Sequence, residues 1–86
     1  MNKVFTDAGW KDYFSWFENN KRQPKKIHEL MKDIERSPFE GIGKPEPLKL
    51  NLQGFWSRRI DHEHRLIYKV ENSTIIFIAF RYHYSK

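Results

Sequence analysis

Apolar residues recur along the chain at two different periods, and the switch between them divides it. In the first part Trp10, Tyr13, Phe14 and Phe17 stand at i, i+3, i+4 and i+7, the spacing of one face of an α-helix. Lys3 to Phe5 reads as a short strand ahead of that helix, and Thr6 stands where a hydroxyl can cap the first free amides. Asn19 and Asn20 interrupt the pattern. Ile27, Leu30, Met31 and Ile34 then repeat it, with lysine and arginine on much of the opposite face. The expectation is a helical hairpin with both apolar stripes turned to a core. Pro24 falls in the first turn of the second helix, where a missing N–H costs little. Ser37-Pro38 ends it, because proline disfavours helical backbone in the residue before it.

Residues 39 to 47, FEGIGKPEP, hold two glycines and two prolines, which predicts a structured loop and neither helix nor central strand. From Leu52 onward the period becomes two. FWSRRI, HRLIYKV and TIIFIAFRYHY are separated by Asp61-His62-Glu63 and Asn72-Ser73, the pattern of a three-stranded antiparallel meander. Strand, helices and sheet in that order make an α+β fold, with the helices covering one face of the sheet. A three-residue loop at 61 to 63 sets Ile60 opposite His64, Arg59 opposite Arg65 and Trp56 opposite Tyr68. Pairing Val70 with Ile76 in the next hairpin sets Arg65 opposite Arg81. Trp56, Ile60, Leu66, Tyr68, Val70, Ile76, Ile78 and Phe80 then share the core face, and Arg59, Arg65, Arg81 and His83 gather on the other. A one-residue slip of the second hairpin would separate Arg65 from Arg81 and His83.

Charge adds a direction to this picture. The 86 residues, expected to form a single domain, carry a formal net charge of +5, which favours a polyanionic partner. Residues 1 to 43 hold 8 basic and 7 acidic side chains, residues 44 to 86 hold 8 and 4, so the sheet-forming half is the polyanion-facing one. With no cysteine, neither a disulfide frame nor a thiolate metal site is available. No stretch has the roughly 20 apolar residues of a membrane span, and the N-terminus lacks a signal-peptide pattern. A cytoplasmic location without membrane attachment is expected.

Arginines gathered on one sheet face repel one another and call for an anion among them, although a solvated basic face accounts for them equally well. Cleaving RNA without a metal requires a base for the 2′-hydroxyl proton, positive charge for the developing phosphorane and an acid for the departing 5′-oxygen. Glu46, flanked by Pro45 and Pro47, is the candidate base, against the alternative of an ordinary exposed loop carboxylate. Lys44 and Lys49 stand near it to bind phosphate. Arg65 and Arg59 suit the charge-stabilising role because a guanidinium stays ionised and grips two oxygens at once, with Arg81 as a further cation. His83 is the candidate acid, imidazole being able to release a proton at neutral pH. Tyr84 and Phe55 are candidates for stacking on a base. His28, His62, His64 and His83 lack compact metal-ligand spacing, so neither a metal nor another cofactor is expected. A nucleophile elbow and a phosphate-binding glycine loop are also missing.

The segment SPFEGIGKPEPLK, followed by GFWSRRI, EHRLIY and the terminal RYHY, closely resembles the YoeB/Txe toxins of the RelE superfamily, in order and spacing over essentially the whole chain. The resemblance implies a RelE-like fold of microbial-RNase type and the activity of an mRNA interferase. Such an enzyme enters the A site of the ribosome, on its small subunit, and cuts the bound message through 2′-hydroxyl attack, leaving a cyclic phosphate. It further implies inhibition by a YefM-like antitoxin, operator DNA as a ligand of the toxin-antitoxin complex, and homodimers, which occur in this family. Carried over position by position, Glu46 looks like the general base, Arg65 the phosphate-stabilising residue, His83 the general acid and Tyr84 the terminal aromatic that positions substrate, with Lys49 and Arg59 in support. Ser85 and Lys86 follow Tyr84, where familiar members often stop. The alternative reading is a non-catalytic, ParE-like toxin that blocks DNA gyrase on the same scaffold, and the joint presence of Glu46, Arg65 and His83 speaks against it. A plain basic nucleic-acid-binding module ranks last.

Overall fold

The computed structural model describes residues 1–19 and 23–83. Its elements are β1 (Asn2–Phe5), α1 (Asp7–Asn19), α2 (Gln23–Arg36), a two-residue β2 (Glu46–Pro47), β3 (Trp56–Arg59), β4 (Arg65–Glu71) and β5 (Thr74–Tyr82), with a short 3₁₀ turn at Leu50–Leu52. The strands form one mixed sheet in the order β1-β5-β4-β3-β2. The expected meander is its centre. It is extended at one edge by β1, parallel to β5, and at the other by β2, antiparallel to β3. The loop containing Glu46 therefore ends as an edge strand. No described helix is long and apolar enough to cross a membrane.

Local sequence sets the helix boundaries as expected. The Thr6 hydroxyl accepts the Gly9 amide at 3.0 Å, the third amide of α1, and Pro24 lies in the first turn of α2. The buried face of α1 meets the expected stripe only at Tyr13, which packs against the core. Trp10, Phe14 and Phe17 are each about half exposed, and Trp16, at 2 %, is the tryptophan in the core. Gly9 explains the rotation: a β-carbon there would overlap the Phe77 carbonyl, so α1 presses its glycine onto β5 and brings Trp16 beneath it. On α2 the expected Ile27, Leu30 and Ile34 are fully buried. They pack with Trp16, Ile60, Leu66, Tyr68, Ile75, Phe77 and Phe80 into one core.

The first hairpin has the expected register: Trp56 pairs with Tyr68 and Arg59 with Arg65, and the Ile60 amide donates to the His64 carbonyl at 2.9 Å. The second does not. Val70 pairs with Ile75, and two shifts between Arg65 and Tyr68 carry the pairing onward until Arg65 stands opposite Tyr82. In consequence Ile75 and Phe77 join the core where Ile76 and Ile78 were expected. The irregularity has a visible cause in α1. The Phe80 amide donates to the Asp12 carboxylate at 2.9 Å and the Phe80 carbonyl accepts the Trp16 indole N–H at 2.9 Å. Side chains of the helix thus satisfy the backbone groups that the bulged ladder leaves over.

Candidate active site

Arg58 and Arg59 are consecutive and point to opposite faces of β3. Arg58 is wholly buried on the helix side. All five of its N–H groups are used: Nε donates to Tyr68 Oη at 3.1 Å, Nη1 to Asp33 Oδ2 at 2.6 Å and the Ile42 carbonyl at 2.9 Å, and Nη2 to the carbonyls of Ser37 at 2.8 Å and Glu40 at 3.2 Å. Tyr68 Oη in turn donates to the Pro38 carbonyl at 2.5 Å. Asp33 also accepts from Arg36 and from the Ile42 amide. The Arg58 guanidinium, helped by these donors, draws the Asp33 carboxyl from an ordinary 3.8 down to about 2. Gly41, at φ 128, leaves room for the Asp33 carboxylate. Residues 37 to 43 are thereby wound around one buried cation, and the Arg59 amide closes the turn on the Gly43 carbonyl at 2.7 Å. That closure delivers Glu46 to the opposite face of the sheet, where it pairs with Ser57.

This open face brings together Glu46, Arg59, Arg65 and His83 from the expected set. Arg65 Nη1 lies 3.8 Å from Glu46 Oε1, with the arginine side chain 11 % and the glutamate 47 % exposed. Arg65 also lines a cleft of about 340 Å³ with His62, Glu63 and His83. A neighbouring cleft of about 300 Å³ is lined by Glu46, Lys49 and Tyr82 among others. Arg65 thus links a carboxylate on one side to an imidazole on the other. Arg59 is exposed on the paired position across from Arg65. Groups that can accept a proton, hold a phosphate and return a proton thus meet at Arg65 on this face.

The remaining candidates are spread more widely. Lys49 is exposed at the Glu46 cleft, and Lys44 is exposed two residues before Glu46. Phe55 is half-buried, with Lys69 Nζ 5.3 Å above its ring, so one stacking face already carries a cation. Arg81 is not on the arginine face: its Nε donates to Ser15 Oγ at 2.6 Å and its guanidinium lies 4.0 Å from the Trp16 ring centre. The bulge at Phe80 turns it toward α1. Tyr84 and the Ser85-Lys86 extension lie outside the described residues.

Two features escape a reading by spacing. Tyr82, opposite Arg65, lines the Glu46 cleft. Glu63, His64 and His83 also converge, their ligand atoms within 4.8 Å of one another, although nineteen positions of sequence separate the last two. A signal for the Arg58 anchor was present: Asp33 interrupts the apolar stripe of α2, and Arg58 has the strand parity of Trp56 and Ile60, so opposite charges lie on the two predicted core faces.

A family model described as YoeB-like toxin of bacterial type II toxin-antitoxin system matches residues 5–84. Toxin YoeB of Escherichia coli strain K12 is 56% identical over 84 residues, covering 98% of this chain and all of that protein. Among solved structures, the YoeB/ParE toxin from Agrobacterium tumefaciens superposes with a TM-score of 0.94 at 44% identity, over 98% of this chain and all of that one. A chain of the YoeB-YefM complex from Staphylococcus aureus gives 0.88 at 49%, over 98% of each. Matches of this extent, on a chain that also has the expected fold, leave one conclusion: the chain belongs to the YoeB-like toxins of bacterial type II toxin-antitoxin systems.

Proposed function

We propose that this toxin is a metal-independent endoribonuclease that cuts mRNA in the ribosomal A site. The observation that supports it is the Arg65 guanidinium, 3.8 Å from the Glu46 carboxylate and in one cleft with His83. Glu46 takes the proton of a 2′-hydroxyl, whose oxygen attacks the adjacent phosphorus. Arg65, with Arg59 across the strand pair, neutralises the charge that grows on the phosphoryl oxygens. The bond to the 5′-oxygen breaks as His83 supplies its proton. The products are a 2′,3′-cyclic phosphate and a free 5′-hydroxyl, with His83 left as the base and Glu46 as the acid until both exchange protons with water. Before substrate arrives, Glu46 is the anion that Arg65 holds, and an incoming phosphate takes its place there.

The partners follow from the same reading. A YefM-like antitoxin neutralises the toxin by laying acidic chain over the basic face, toxin and antitoxin together bind operator DNA, and the toxin alone forms a homodimer. The decisive test maps mRNA ends on stalled ribosomes for the wild type and for Glu46→Ala, Arg65→Ala and His83→Ala. Each variant is expected to lose roughly 10²- to 10⁴-fold in cleavage while keeping its circular dichroism spectrum. Undiminished cleavage in all three would remove the reading.

A further inference from the structure

The pairing of Arg65 with Tyr82 sets the next residues outward, His64 and His83, side by side at the mouth of the β4–β5 pair. Their rings meet edge to face at 4.8 Å. Glu63 Oε2 approaches His83 Nδ1 at 4.0 Å, and both of these side chains are more than half exposed. His64 is the fixed member. Its ring stands edge-on to Trp16 at 5.0 Å, and its Nδ1 lies 3.3 Å from the Asp61 carboxylate, which leaves Nε2 for another partner. A carboxylate behind a histidine in this way orients the ring and raises its strength as a metal ligand.

We propose that Glu63, His64 and His83 bind one divalent transition-metal ion of the zinc class. Two imidazoles and one carboxylate are a donor set that such ions take, leaving an open position for water or a phosphate oxygen. Ligands about 2.1 Å from a tetrahedral ion stand about 3.5 Å apart, so donor atoms now within 4.8 Å need to close by roughly 1 Å. The exposed Glu63 and His83 side chains make that movement around the anchored His64. The ion faces the cleft that also contains Arg65, whose charge is offset by Glu46 at 3.8 Å, and Asp61 adds a second carboxylate behind the site. Occupancy engages the imidazole that the proposed cleavage uses as its acid, so the ion inhibits the nuclease. This inhibition rests on the function proposed above, whereas the binding does not.

Calorimetric titration of chelator-treated protein with Zn²⁺ alone tests the site. One ion per chain is expected, with affinity at least about tenfold weaker in Glu63→Gln and in His83→Gln, both conservative changes at exposed positions, and unaltered in His62→Ala. Absence of saturable binding, unaltered affinity in the first two variants, or loss in His62→Ala would overturn the assignment. In the cleavage assay, Zn²⁺ at about ten times the wild-type Kd is expected to slow the wild type roughly tenfold, reversibly with chelator, and Glu63→Gln by no more than about twofold. Equal inhibition of both would overturn the inhibitory role. Because the titration needs no RNA, a protein that binds Zn²⁺ yet never cleaves a message refutes the nuclease and leaves the metal site standing.

Discussion

Two neighbouring arginines of one strand divide the labour of this molecule. Arg58 is closed: it has no exposed surface and spends every donor on protein acceptors that hold residues 37 to 43 in place. Arg59 is open, exposed on the face where Glu46 and Arg65 meet. Burial makes a charge structural because an unpaired ion in the core is too costly to tolerate. Exposure leaves it available, since water and a ligand's phosphate compete on nearly even terms. The buried arginine serves the open face indirectly, by fixing the loop that carries Glu46.

Breaking the closed side is expected to have the largest effect. Arg58→Ala takes from Asp33 its buried cation, leaving it the Arg36 and Ile42 donors, and removes a donor from Tyr68 Oη and three backbone carbonyls, at a cost of about 3 to 5 kcal/mol. That is comparable with the whole stability of a chain this size, about 4 to 13 kcal/mol. Denaturant titration should show a collapse of the unfolding midpoint or no folded baseline.

Acid acts on the same pair more gently. Asp33 titrates at about 2 when folded and near 3.8 otherwise. A depressed carboxyl contributes stability that is complete above about pH 4 and disappears as the pH falls through 2, because the unfolded chain takes up the proton first. Asp33→Asn should reduce the slope of stability against pH in that window by about one proton, as read from denaturation at several acidic pH values. An unchanged slope would mean that Arg58 is neutralised elsewhere.

The open side should respond in the opposite way. Arg59→Ala is expected to change stability by less than about 0.5 kcal/mol while slowing message cleavage by roughly tenfold, about 1.4 kcal/mol of transition-state stabilisation. A large stability loss with intact cleavage would reverse the roles given to the two residues.

How much of this was legible varied along the chain, for local reasons. The β3–β4 register was readable because a three-residue loop leaves the chain little choice, and the stripe of α2 because its opposite face is charged. The stripe of α1 misled, since aromatic residues occupy more than one side of that helix and spacing cannot rank Trp16 against Trp10, Phe14 or Phe17. Parity failed from the start of β5, because the hairpin pairs Val70 with Ile75 and not with Ile76, and it changed again beyond Phe77, because a period-two pattern assumes an unbroken ladder.

The sequence by itself determined the α+β layering, the start of α1 and the end of α2, the basic sheet and the residue types of the candidate site, all of which follow from periodicity, capping and charge within short windows. Only the tertiary structure decided which residues meet. Asp12 and Trp16 take the amide and carbonyl of Phe80, sixty-eight and sixty-four positions away, and the bulge held there turns Arg81 toward α1 and brings Tyr82 opposite Arg65 and His83 beside His64. A backbone hydrogen bond satisfied by a distant side chain leaves no mark in the local pattern, so the composition of the site was readable before its geometry was.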